Sequence, residues 1–198
     1  FAGFGATSVQ LVASAVSQRW SSTEDLIAGI EELAMRAAAI GAPDADIEGE
    51  LFQVARTVAA NPELELALGS RLGDASAKGD LVAKLLTGRA SEATVLVASS
   101  LVQQPRERRV RQLLSRAIRI VADERGRAVA TVTAAAALSA EQASRLTELL
   151  SRRYGTKISL NTVIDPTVVG GLRVQIADDV IDMSVSSRLA DLRQRLAG

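Results

Sequence analysis

The chain has 198 residues, and its 23 lysines and arginines balance 23 aspartates and glutamates, so its overall charge favours neither nucleic acid nor an acidic surface as a partner. It contains no cysteine and no histidine, which excludes a disulfide framework, a thiolate nucleophile and the usual transition-metal ligand. Aromatic residues make up only 3% of the sequence, and the apolar 47% consists mostly of alanine, leucine, valine and isoleucine. This composition argues against catalysis and favours closely packed helices with some strand material.

The sequence predicts neither a membrane-spanning helix nor a signal peptide in its opening residues. No apolar run approaches the roughly 20 residues that a membrane-spanning helix requires. The opening "FAGFGA" lacks the basic region that begins a signal peptide. Because the sequence begins at Phe1 rather than at a methionine, we expect a processed or truncated piece.

The first two-thirds of the chain predict six to seven helices joined by short turns, as in an antiparallel bundle. A first helix runs from about Val9 to Trp20. A second, capped by Thr23, carries the apolar stripe Leu26, Ile30, Leu33 and Ala37 and ends before Pro43. The later helices cover residues 47–58, residues 62–68 behind Asn61, residues 76–86 starting at Ser76, residues 92–104 behind Ser91, and residues 110–125 before Gly126.

After Gly126 the hydrophobic period changes. Residues 128–135 are rich in β-branched side chains, and residues 157–164 and 172–176 alternate strictly between apolar and polar. Between them, Ser139 and Gln142 form a capping box at the start of a helix. Asp178-Asp179 marks a turn before a short return strand at Val180-Ile181, and Ser184 then caps a last helix. The apolar face of that helix consists of Val185, Leu189, Leu192 and Leu196.

The change of period predicts a mainly α protein with two domains. The helical bundle occupies residues 1–126, in which residues 1–20 are an extra helix or the remnant of a preceding domain. Residues 127–198 form a small α+β domain.

A cluster of arginines lies within residues 105–125, on what the sequence predicts to be one helix: Arg106, Arg108, Arg109, Arg111, Arg116 and Arg119. These side chains could grip phosphates, so the alternative hypothesis is a helical nucleic-acid-binding or adaptor protein. However, the same helix has a clean apolar face, and no aromatic residue is interleaved for base stacking. A solvated or partner-facing helix is therefore the favoured interpretation.

Glycines and aspartates near the carboxy end could suggest a phosphate-binding or metal-binding site, but their spacing favours turns. Gly170-Gly171 matches no phosphate-binding glycine pattern and opens a strand, which favours a turn with positive φ or a close backbone approach. The four aspartates fit no EF-hand loop and lie at turn positions or ahead of a helix start: Asp165, Asp178, Asp179 and Asp182. The sequence predicts no catalytic residue, no cofactor and no metal site.

The same stretch, "ISLNTVIDPTVVGGLRVQIADDVIDMSVSSRLADLRQRL", resembles the carboxy-terminal signature of the delta-subunit family of F-type ATP synthases, whose mitochondrial counterpart is the oligomycin-sensitivity-conferring protein. Its signature positions with structural roles are Asp165, Gly170, Gly171, Asp182 and Ser184. Upstream, "VTAAAALSAEQASRLTELLSRRYG" matches the family's strand and following helix, and "SQRWSSTEDLIAGIEELAMRAA" is similar to actinobacterial members, some of which have additional amino-terminal material. The chain departs from the family at Ala177 and Met183, where glycine is frequent, and lacks a Tyr-Ala pair common on the family's first helix.

The resemblance implies a non-catalytic stator subunit, peripheral to the cytoplasmic face of the bacterial plasma membrane, that ties the catalytic head to the stalk so that the head does not rotate. Its helical domain would hold amino-terminal helices of alpha subunits through residues 23–40 and 91–103, and its carboxy-terminal part would meet the b subunits. An amphipathic helix in an apolar groove needs apolar residues beyond those that fill the core. The expected groove residues are Leu26, Ile27, Ile30, Leu96, Val97 and Leu101, although all six could equally belong to the core.

Overall fold

A computed structural model of the chain describes residues 5–70, 73–106, 108–168, 170–177 and 179–184. Within these ranges seven helices precede a four-stranded sheet that carries an eighth helix, which confirms the predicted mainly α fold with an α+β unit at the carboxy end. The helices are α1 (Ala6–Val16), α2 (Thr23–Gly41), α3 (Ile47–Ala60), α4 (Pro62–Gly69), α5 (Ala75–Leu86), α6 (Glu92–Gln103), α7 (Val110–Glu124) and α8 (Ala140–Tyr154). The strands are β1 (Arg127–Ala134), β2 (Lys157–Ile164), β3 (Leu172–Ile176) and β4 (Asp179–Asp182).

Some helix starts were predicted correctly and others were displaced by one or two residues. The Ser91 hydroxyl accepts the Thr94 N–H at 3.3 Å, and the capping box of Ser139 with Gln142 is present in full. Two other predicted caps were wrong, because an earlier side chain takes the role. Ser22, rather than Thr23, caps α2, and Asp74, rather than Ser76, caps α5. Each earlier residue has a side-chain oxygen that accepts an N–H three residues ahead.

Two further local predictions need correction. The first helix ends at Val16, not at Trp20, and the Trp20 indole folds back so that its Nε1–H donates to the Ala15 carbonyl at 2.7 Å. Pro62 does occupy the first position of α4, but the Asn61 side chain forms no cap bond there and donates instead to the Thr57 carbonyl in α3. The predicted last helix lies outside the described residues.

Helix α7 is the centre of the helical part. It packs against α2, α3, α4 and α6, because its apolar side chains recur every three to four residues along a wide face. That face contributes Val110, Leu114, Ala117, Ile118 and Val121 to the helical core. The other members of this core from α2, α3 and α6 include Met35, Ala39, Ile47, Leu51, Val58, Val97, Ala98, Leu101 and Val102.

The sheet has the strand order β2-β1-β3-β4, with β1 parallel to β2 and antiparallel to β3. The parallel pair is possible because α8 forms the crossover between its two strands. Alternate residues of the strands form a second core with Leu150 of α8: Ala130, Val132, Ile158, Val174 and Ile176. On the opposite face, Val129 and Val163 pack against the helical core. The sheet therefore lies between α8 and the helical part, and the change from helix to strand falls at residues 125–126.

Candidate partner-binding surface on α2 and α6

Helix α2 presents an apolar stripe that faces away from the core. The core side of α2 is formed by Met35 and Ala39, which are buried. The predicted stripe lies on the opposite side, where Leu26 and Ile30 are half-buried and Leu33 and Ala37 are exposed. Ile27, which flanks the stripe, is 37% exposed. An outward apolar stripe on a core helix is a candidate contact surface for another protein.

Helix α6 contributes less to this surface than the sequence suggested. Leu96 is 63% exposed and projects outward. Val97 and Leu101 are only 5% and 7% exposed, because they lie on the same side of α6 as Thr94 and Ala98 and pack in the helical core. In the structure of this chain, Val97 and Leu101 are therefore core residues and are not available to a partner. The candidate partner-binding surface therefore consists of Leu96 and the three α2 residues Leu26, Ile27 and Ile30.

The start of α6 is held in place by α3. Glu50 Oε2 accepts hydrogen bonds from the Ser91 N–H at 3.0 Å and from the Ser91 hydroxyl at 2.7 Å. Partial burial acts to raise the pKa of Glu50, but the hydrogen bonds from Ser91 and Thr94 outweigh it and lower the pKa. These hydrogen bonds hold the first turn of α6, and thus the position of Leu96, relative to α3.

Helix α1 and Trp20 border the same surface. The Trp20 ring packs on Gly29, where a Cβ atom would approach the ring to 2.3 Å. Gly29 is one helical turn from both Leu26 and Leu33, so the ring lies beside the outward stripe. This contact could not be predicted from the sequence, since a glycine inside a helix does not reveal which distant side chain it admits.

The arginine cluster is largely paired with carboxylates. Arg106 and Arg108 both form ion pairs with Glu31 of α2, the latter at 3.0 Å. Arg111 pairs with Glu65 of α4 at 3.0 Å, and Arg116 approaches Glu32 of α2 at 3.4 Å. These ion pairs are contacts within the chain, and they connect α7 and the residues just before it to α2 and α4.

The pairing and the position of the arginines correct the nucleic-acid alternative. Arg106, Arg108 and Arg109 precede α7 rather than lying on one helical face with the others. The guanidinium of Arg36, with a smaller effect from Arg116, lowers the pKa of Glu32 although partial burial opposes the shift. Carboxylates held ionised among the arginines would repel phosphates, so the geometry does not favour a nucleic-acid interface.

The signature residues near the carboxy end form turns, as predicted. Gly170 and Gly171 have φ values of 62° and 79°, which fits the predicted positive-φ turn. A Cβ atom on Gly171 would lie 2.3 Å from the Met183 carbonyl oxygen, so the turn also brings two backbone segments together. Asp165 Oδ1 accepts the hydroxyl and N–H of Thr167, which lower the pKa of Asp165.

Asp182 bridges the last strand to its neighbours. It accepts the Ser184 N–H through Oδ1 at 2.9 Å and the Arg173 guanidinium through Oδ2 at 2.9 Å. Asp179 opens β4 and accepts the Tyr154 hydroxyl at 3.2 Å, while Asp178 lies outside the described residues. Within the part of the chain that the structure describes, no three acidic side chains converge as metal ligands would. Among the same residues, no helix is both long and apolar enough to cross a membrane.

The chain is similar to known proteins over most of its length. A family model described as ATP synthase delta (OSCP) subunit matches residues 34–196, beginning within α2. The chain is 48% identical over 199 residues to the ATP synthase subunit delta of Leifsonia xyli, covering 100% of this chain and 75% of that protein. It is 41% identical over 197 residues to the subunit delta of Streptomyces avermitilis, covering 98% and 72%. A chain in the mitochondrial ATP synthase hexamer of Toxoplasma gondii aligns with a TM-score of 0.47 at 20% identity, covering 85% of this chain and 98% of that one.

Proposed function

Since this chain belongs to the ATP synthase delta (OSCP) subunit family, we propose that it holds an amino-terminal helix of an alpha subunit on the outward face of α2, beside Leu96 of α6. The chain is a non-catalytic stator subunit of the F-type ATP synthase. In our proposal its residues 1–126 bind the catalytic head and its residues 127–198 meet the b subunits of the peripheral stalk. The complex would place it at the cytoplasmic face of the plasma membrane.

The observation that carries the proposal is the outward apolar stripe of α2. Leu26, Ile27 and Ile30 keep part of their surface open to solvent, although α2 already buries its other side in the core. An amphipathic helix laid along such a stripe buries apolar side chains at a spacing that matches its own period. Covering a side chain as exposed as Leu96 contributes roughly 1–2 kcal/mol. Several such residues together support a long-lived junction.

The contact with the b subunits is assigned to the α+β part. Both edge strands of its sheet carry exposed apolar side chains, Ile164 on β2 and Val180 on β4. A sheet edge with exposed apolar residues is a surface that native proteins usually cover. These two edges are therefore the surfaces in residues 127–184 that best suit a stalk helix.

The test is a calorimetric titration of the full chain with a synthetic peptide that copies the amino-terminal helix of an alpha subunit. We expect a ratio near one to one. Leu96→Glu and Ile27→Glu should each weaken binding by at least about tenfold, because each introduces a charge into the buried contact.

The matched control is Leu66→Glu on α4, because Leu66 is 74% exposed and thus tolerates the same change without damage to the core. This variant should bind the peptide as the parent chain does. Absence of binding by the parent chain would reject the proposed site. An equal loss in all three variants would show that charge alone, rather than this surface, governs the affinity.

A further inference from the structure

A cleft of about 820 Å³ separates α7 from the sheet. Along one wall, α7 presents Gln112, Ser115 and Arg119, all of which are exposed. The opposite wall is formed by β1 and β3, and Gln175 is its most exposed polar residue. The floor includes Ile118, which belongs to the helical core. The cleft thus combines a polar rim with an apolar base, as peptide-binding grooves do.

Three arginines that line the cleft form no hydrogen-bonded ion pair with a described residue. Arg109 and Arg119 both line it, and neither forms an ion pair with any residue of the described ranges. Arg127 also lines it, and its only carboxylate neighbour among those residues is Glu48 at 3.8 Å, too far for a hydrogen bond. Asp123 is the only acidic residue among those that line the cleft.

The neighbouring arginines differ from these three because each has a hydrogen-bonded glutamate partner. Arg106, Arg108, Arg111 and Arg116 come from the same stretch of sequence, and each has a glutamate partner in α2 or α4. Within this cluster, the arginines without a carboxylate partner among the described residues are Arg109 and Arg119, and both line the cleft between α7 and the sheet. A ligand that complements them carries negative charge.

The lining favours an acidic polypeptide over nucleic acid. Phe52 is the one aromatic residue that lines the cleft, and it is buried, so no ring is available for base stacking. The amide side chains of Gln112 and Gln175 stand on opposite walls. Gln112 Oε1 accepts the Arg109 N–H and Gln175 Nε2 lies 3.5 Å from the Ala177 carbonyl, so Gln112 can donate to a peptide backbone and Gln175 can accept from one. Arginine forks suit carboxylates in bidentate geometry.

We propose that this cleft binds an acidic segment of a partner polypeptide within the assembled ATP synthase. Carboxylates of the segment pair with Arg109, Arg119 and Arg127, and its apolar side chains rest on the floor beside Ile118. The surface is separate from the outward stripe of α2, so the proposal extends beyond the alpha-subunit contact and can fail without it.

Because the chain has no cysteine, a single Ser115→Cys variant can be labelled selectively with a benzophenone maleimide before reconstitution into the ATP synthase. Irradiation of the purified complex should then join the cleft to one partner segment, and mass spectrometry should find that segment richer in Asp and Glu than in Lys and Arg. Adding Arg119→Glu should lower the crosslink yield by at least about tenfold, through charge repulsion. Arg145→Glu, on the exposed side of α8, serves as the matched control and should leave the yield unchanged.

Three results would overturn the proposal: no crosslink to a partner polypeptide, a crosslink to nucleic acid or to a segment without acidic excess, or an equal fall in yield with Arg145→Glu.

Discussion

Arg125 and Glu48 form an ion pair, with 2.7 Å between Nη1 and Oε2, at the point where α7 gives way to β1. The Glu48 side chain is fully buried, and Arg125 is 11% exposed. The same guanidinium donates to the carbonyls of Ala42 and Ala45 at 2.8 and 2.7 Å. One side chain at the end of α7 therefore holds the end of α2 and the start of α3.

Arg125→Met is expected to destabilise the chain by about 3–5 kcal/mol, because it removes the hydrogen-bonded partner of the buried Glu48 carboxylate and leaves only the Arg127 guanidinium, 3.8 Å away. Denaturant unfolding followed by circular dichroism measures the change. The double variant Glu48→Leu with Arg125→Met should recover much of the loss, since no unpaired charge remains. The control is Arg145→Met, whose exposed pair with Glu141 should contribute less than about 0.5 kcal/mol. Equal effects of Arg125→Met and Arg145→Met would refute this account.

Ala177→Gly is expected to stabilise the chain. Ala177 has a φ of 49°, a left-handed conformation that costs a residue with a Cβ about 1–2 kcal/mol and a glycine almost nothing. After the greater entropy of glycine in the unfolded chain is subtracted, a net gain of roughly 0.5–1 kcal/mol remains. Thermal unfolding should show a higher Tm. Ala136→Gly, an exposed position without positive φ, should instead lower the Tm, and a rise in both would contradict the dihedral explanation.

Gly171→Ala should be more damaging than Gly88→Ala. Both glycines have positive φ, 79° and 75°, so both substitutions incur the dihedral cost of about 1 kcal/mol or more. At Gly88 nothing lies within 4 Å of the added Cβ, whereas at Gly171 the Met183 carbonyl oxygen lies 2.3 Å away. The difference between the two unfolding free energies measures the close backbone approach. If the two variants lose the same unfolding free energy, the close approach of the Met183 carbonyl to Gly171 does not affect stability.

Gly29→Ala should have opposite effects with and without Trp20. In the parent chain the new Cβ would displace the Trp20 ring, and the fluorescence of this single tryptophan should shift towards that of a solvated indole. In a Trp20→Ala background the collision is absent, so the change should stabilise α2 by up to about 1 kcal/mol through helix propensity. A double-mutant cycle from denaturant unfolding tests this, and additive effects would contradict the contact.

The contribution of Asp182 should depend on pH. Hydrogen bonds from Ser184, followed by the Arg173 guanidinium, lower the pKa of Asp182 from 3.8 to about 2. Because the folded pKa is depressed, the stabilisation is fully present above about pH 4 and is lost as the pH falls through about 2. The difference in unfolding free energy between the parent chain and Asp182→Asn should therefore be constant from about pH 5 to 7 and shrink below about pH 4. If the difference between the two unfolding free energies stayed constant down to about pH 2, the ionised Asp182 carboxylate would not be the source of the stabilisation.

The strands and most helices could be predicted from the local sequence, because each local pattern of apolar and polar residues was compatible with only one type of secondary structure. Strict alternation in β2 and β3 buries Ile158 and Val174 on one face, as the sequence predicts. The capping box at Ser139 involves only neighbouring residues, so no distant contact could override it. The displaced starts of α2 and α5 arose where two polar residues stood close together and either could serve as the cap.

The face of α2 could not be assigned from periodicity. This helix is alanine-rich and carries apolar residues on two sides, so periodicity left open whether Leu26 and Ile30 belong to the core or to a partner groove. In the structure the core takes Met35 and Ala39, while Glu31 and Glu32 of the same helix pair with Arg108 and Arg116. These ion pairs join residues far apart in sequence, so periodicity could not indicate them.

The placement of β1 has a mechanical consequence. The strand is hydrogen-bonded on both sides, to β2 along its whole length and to β3 over its second half, and it continues from α7 after only two residues. A pull along the chain at this connection loads the strand's hydrogen bonds together, in shear, rather than opening them one after another. Shear is the direction in which a sheet resists force best. A stator must withstand the torque of a turning rotor, and this chain places a strand that is hydrogen-bonded on both sides directly after the helix that organises its other half.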